Sequence, residues 1–176
     1  MSESNGEPFP TRVELMERVE AAWAELDRAL VDLDAHQLSA VPSGGDWSIA
    51  DHLAHLAVWT QSAIALLSGE SRPEAMDVDP ALWDAENTDA INAAIEERWS
   101  GRPPADVLAA LRTAQASLRE VISAMDDEDL GRPYSHFQPD TVPYESNPVV
   151  GWITGNTFEH VEEHLPVILA IREQVT

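Results

Sequence analysis

Residues 155–168, GNTFEHVEEHLPVI, place His160 and His164 four positions apart, surround them with Glu159, Glu162 and Glu163, and then insert Pro166. Phe158, Val161, Leu165 and Ile168 recur at three- and four-residue spacing, so the stretch reads as an amphipathic helix with one buried stripe. The two imidazoles flank that stripe. At i and i+4 they leave the helix one turn apart on one face, where they can chelate a single cation. The preceding VVGWITGNTF is nearly uncharged, which suits a segment threading an interior, and the whole helix is read over 149–174. Pro166 lacks the amide that would bond the Glu162 carbonyl, which predicts a kink just beyond His160.

Three more long amphipathic segments lie upstream. Residues 12–33 carry Val13, Met16, Val19, Trp23, Leu26, Leu30 and Leu33 on one stripe, with Thr11 and Glu14 as a capping box. Ser48 and Asp51 form a second box opening a helix from Ile49 to Leu67, which stops near Gly69. Pro103 or Pro104 opens a third, striped by Val107, Leu108, Leu111, Leu118, Val121, Ile122 and Met125. Between the second and third, SRPEAMDVDPAL reads as a crossover loop and residues 84–99 as a shorter helix. Residues 131–148 hold Pro133, Pro139, Pro143 and Pro148 and read as a long ordered loop. No useful strand-like alternation occurs, so the expected fold is all-α: a four-helix bundle with long crossover connections. At 176 residues the chain is expected to form one domain, 1–176, with residues 1–10 as a mobile N-terminal segment.

Composition narrows the chemistry. The absence of cysteine removes disulfides, thiolate ligands and any nucleophilic thiol of the chain's own, so thiol chemistry would need an external thiol. All ten basic residues are arginines, which removes lysine Schiff bases. With 32 acidic residues the formal charge is −22, spread along the chain, which repels phosphate backbones and anionic lipid. Nucleic acid and membrane are therefore not expected partners. No apolar run reaches the length of a membrane span, and the N-terminus lacks a signal-peptide layout, so a soluble cytoplasmic protein is expected.

Two histidines make a weak metal site, and a third from another helix would complete a facial set with open positions. The second helix offers His52 and His55 in DHLAHL, and periodicity permits either. His36 and His136 have no partner at ligand spacing. Asp51 is assigned to its cap and Trp47 and Trp59 to packing, with Trp59, one turn beyond His55, also able to line a pocket. The three glutamates are assigned to a solvated face, with a ligand-orienting or general-base role for one of them as the alternative, and Asn156 and Thr157 could hydrogen-bond a ligand.

WSIADHLAHLAVW at 47–59, DAINA at 89–93 and NTFEHVEEH at 156–164, in this order and spacing, resemble the DinB-like superfamily, also called YfiT-like, over almost the whole chain. The resemblance implies an up-down-down-up bundle holding one divalent metal ion, often nickel or zinc. Carried over by position, the ligands are His55, His160 and His164, while His52 falls at a variable position and is a fallback ligand. It also implies metal-dependent chemistry on a small electrophilic substrate: thiol S-transfer or isomerisation with a low-molecular-weight thiol such as mycothiol or bacillithiol, or hydrolysis. A cation held by three neutral imidazoles keeps most of its charge and can activate bound water or thiol near neutral pH. Many thiol-transferase members follow the last histidine with a basic residue, glycine and glutamine; here Leu165, Pro166 and Val167 follow, a departure from that pattern. The alternative is a non-catalytic protein that binds or sequesters an apolar metabolite or toxin, its metal structural or absent. Bundles of this kind are frequently dimers, which makes a homodimer a candidate assembly.

Overall fold

The computed structural model describes residues 9–45, 47–139 and 146–176; most of the expected mobile N-terminal segment and Pro143 lie outside them. Four long helices carry the architecture, and local chemistry sets their ends. α1 (Arg12–Leu30) starts at the Thr11–Glu14 capping box and ends earlier than the apolar stripe suggests, because Asp32 takes a left-handed φ of 66°. After the short α2 (Ala35–Ser39), α3 (Ile49–Ser68) opens at the Ser48–Asp51 box, as its sequence predicts. Gly69, at φ 70°, caps its end in a conformation that a side chain would strain.

The crossover expected as a loop instead contains α4 (Arg72–Met76) and α5 (Pro80–Asp84), each with proline in its first turn and a capping side chain, Ser71 or Asp79. α6 (Thr88–Trp99) follows, and α7 (Pro104–Ser123) is the third long helix. α8 (Asp127–Leu130) immediately precedes the proline-rich stretch, which holds α9 (Tyr134–Phe137). Its ends are clasped by a bridge between Pro133 and Pro148, with Tyr134 N–H donating to the Asn147 carbonyl at 2.7 Å and Val149 N–H to that of Arg132 at 2.8 Å.

The last helix is two elements rather than one: α10 (Val149–Gly155) and α11 (Phe158–Val175). Side chains at the junction turn back on the preceding turn. Asn156 Nδ2 donates to the Trp152 carbonyl and Thr157 Oγ1 to that of Ile153, each at 2.7 Å. The interruption therefore precedes His160, whereas α11 runs through Pro166 as one element.

α3 is the central helix, packing against α7 and also against α2, α4, α6 and α11, while α1 lies on α11 and α7. This surrounds it with protein and accounts for apolar residues on every side. Its outer cover is a second apolar cluster of Val58, Met76, Val78, Ile91 and Ile95. Arg72 is buried in that cover, donating to Ser62 Oγ at 2.9 Å and to the Tyr134 hydroxyl at 3.3 Å, with its guanidinium over Trp83 and Trp152. Among the described residues there is no strand, and no helix is long and apolar enough to cross a membrane.

Phe158 fixes the start of α11: its ring is fully buried and the Arg18 guanidinium sits 4.1 Å above it. Phe158→Ala is expected to lower unfolding stability by about 3–5 kcal/mol, read as a shift in urea midpoint at constant slope.

Candidate metal centre

α3 carries His52 and His55 three residues apart, both buried, and α11 brings His160 and His164 against them half-buried. His55 Nε2 lies 3.0 Å from His160 Nε2, and His52 Nδ1 lies 2.8 Å from His164 Nδ1. One ligand atom each from His55, His160 and His164 lies within 4.8 Å of the others, so these three could hold one metal ion.

The pair of donors from His55 and His160 is spaced as such an ion needs. Nitrogens about 2.0–2.1 Å from a shared cation stand about 2.9 Å apart at a right angle and about 3.3 Å apart at the tetrahedral angle. The observed 3.0 Å between His55 and His160 lies between these. Imidazole donors suit several divalent first-row cations.

Electrostatics keep the rings neutral, the form a ligand needs. Burial, reinforced by His160 and its other histidine neighbours, pushes His55 down to about 2. Burial and His164 push His52 and His160 down to about 4. His164 is lowered by burial, with the carboxylate of Glu163 opposing.

A pocket of about 380 Å³ opens onto the trio, bordered by Trp47, Trp59, Asn92, Asn156 and Glu163. Trp47 lies 5.2 Å from His55 between ring centroids and stacks on His164 at 6.5 Å; Trp59 stands 6.2 Å from His55 and 6.3 Å from His160. Both tryptophans therefore wall the site as well as packing. Trp59 Nε1 donates to Asn92 Oδ1 at 3.1 Å, which anchors α6 to the pocket.

The remaining candidates divide cleanly. Asp51 serves its cap. Thr157 spends its hydroxyl on Ile153, while Asn156 borders the pocket. Glu159 and Glu162 are exposed; Glu163 is exposed yet lies at the pocket edge. His36 and His136 are exposed and outside the cluster. Sequence reading missed Asn92 and Gly155 as pocket residues, although Asn92 lies in the DAINA stretch that carries the family resemblance. The pairing of His52 with His164 did have a signal, since i and i+3 on α3 share a face.

The sequence matches the family model of the DinB superfamily over residues 18–168. Among curated protein sequences, none matches this chain. Several solved structures share its fold. A Streptococcus pneumoniae protein superposes with a TM-score of 0.77 at 14% identity, covering 97% of this chain and 94% of that one. An uncharacterised Escherichia coli UTI89 protein gives 0.70 at 16% identity, covering 93% and 92%. The colibactin self-resistance protein ClbS, in complex with a dsDNA, gives 0.63 at 15% identity, covering 94% and 98%.

Because the folded state holds these rings neutral, it binds fewer protons than the unfolded chain below the ordinary histidine value of 6.5. Stability of the metal-free protein is expected to be full above 6.5 and to fall as pH drops toward 4. Urea midpoints in chelator from pH 7.5 to 5 check this, and His160→Ala should flatten the slope.

Proposed function

The chain belongs to the DinB superfamily, and on that premise we propose that it holds one divalent cation, zinc or nickel, through His55, His160 and His164 and acts as an enzyme on a small electrophilic substrate. The observation that supports this reading most is the meeting of three neutral imidazoles from two helices at the floor of an open pocket. When bound, the cation supplies Lewis acidity that makes a water or an external thiol nucleophilic near neutral pH.

The chain's own residues supply the rest. Trp47 and Trp59 present aromatic walls against which an apolar electrophile can lie, keeping water from that side. Asn92, its Oδ1 already accepting from Trp59, retains the amide NH2 as a donor. Glu163 is the carboxylate bordering the pocket and the candidate to take a proton at its side-chain oxygens. The absence of cysteine means that thiol transfer or isomerisation would use a low-molecular-weight thiol from outside. Nucleic acid stays outside this reading on a net charge of −22, although the distant neighbour ClbS is described with dsDNA.

A second reading, sequestration without turnover, draws on two observations. The Nδ1 atoms of His55 and His160 are buried without partners among the described residues, where catalytic metal sites usually supply one. The fold is also that of a protein described as conferring self-resistance to colibactin.

Metal analysis of untagged protein is expected to give about one equivalent per chain, lost in His55→Ala; unchanged stoichiometry in that variant removes His55 from the site. With mycothiol or bacillithiol and a generic electrophile, adduct formation identifies transfer and loss of electrophile without adduct identifies hydrolysis. Silence in both, with the electrophile retained by the protein, favours sequestration.

A further inference from the structure

His164 differs from the other two histidines of the trio in what its second ring nitrogen meets. His55 and His160 leave Nδ1 buried and unpartnered among the described residues, whereas His164 Nδ1 sits 2.8 Å from His52 Nδ1. The ring of His52 is 8% exposed and held edge-on between Trp47 and His164, with 5.1 Å between centroids on each side. It stands outside the trio that could share an ion and borders a separate groove of about 470 Å³ with Pro42, Gly45 and Gln174.

Two ring nitrogens at 2.8 Å need one proton between them. If His164 offers Nε2 to a cation, its neutral ring carries the proton on Nδ1, and that N–H donates to His52 Nδ1. His52 is then bare at Nδ1 and protonated at Nε2. The bond removes the rotation of the His164 ring about its own axis and sets which nitrogen faces the site. Resting on the metal-site reading above, we propose that His52 is a positioning residue: it orients His164 and fixes its tautomer without touching the cation.

Two variants of the full chain separate positioning from packing. His52→Phe keeps a ring against Trp47 and removes the acceptor; His52→Asn returns an acceptor oxygen near the place of Nδ1. By chelator competition with zinc alone, His52→Phe is expected to bind about 10–100-fold more weakly at unchanged stoichiometry, and His52→Asn to recover most of that loss. Unchanged affinity in His52→Phe overturns the proposal, and so does outright loss of the ion, which would make His52 a ligand. Imidazole nitrogen NMR of the zinc-loaded parent needs no variant to fold: His164 protonated at Nδ1 and His52 at Nε2 is expected, and the opposite tautomers overturn it. A parent that binds no zinc overturns both this proposal and the metal site beneath it. A parent that loses zinc with His55→Ala but ignores position 52 overturns this one alone.

Discussion

Imidazole rings within hydrogen-bonding distance of one another, two buried and two half-buried and all held neutral, are the constraint on which the rest of this molecule turns. Two rings come from α3, and α3 can hold them there because it is covered on nearly every side. That cover needs more than the long helices. α4 and α6 pack on α3, and the cluster of Met76, Val78, Ile91 and Ile95 against Val58 closes the face that α7 and α11 leave open. The connection between α3 and α7 is thus part of the site's insulation. It also carries Asn92, which ties the wall formed by Trp59 to a separate helix.

The charge of the chain is distributed in keeping with that interior. Glu159, Glu162 and Glu163 lie exposed along α11, the helix that delivers two of the histidines. A negative envelope raises the local concentration of cations and keeps anions away. Among the described residues one arginine, Arg72, is buried in the interior, donating to the hydroxyls of Ser62 and Tyr134 with its guanidinium over tryptophan and tyrosine rings. Its hydrogen bonds join α4 to α3 and α9, so a charged side chain here serves as a brace.

How much of this was legible in the sequence follows from how local each signal is. The boxes at Thr11–Glu14 and Ser48–Asp51 involve neighbours in the chain, and they mark the starts of α1 and α3 as read. Ser71 with Glu74 carries the beginning of the same pattern, but the prolines nearby hid two short helices. The division between α10 and α11 was not legible, since apolar periodicity runs on across it while two polar side chains bond backward. Periodicity left His52 and His55 equally open, and the family resemblance favoured His55; both in fact meet α11, each opposite a different histidine. Trp47 and Asn92 lie in stretches that carry the family resemblance, but periodicity marks neither as bordering a pocket, and Asn92 reaches it from a separate helix.

The joint at Asn156 and Thr157 separates two jobs that a continuous rod would bind together. Gly155, on its near side, and Asn156 within it help form the rim of the pocket, whereas His160 and His164 stand on its far side in an element anchored by Phe158. The part of the rim that the end of α10 supplies, Gly155, thus lies in a different element from the two imidazoles. Such a division uncouples the shape of the rim from the placing of the imidazole cluster beneath it.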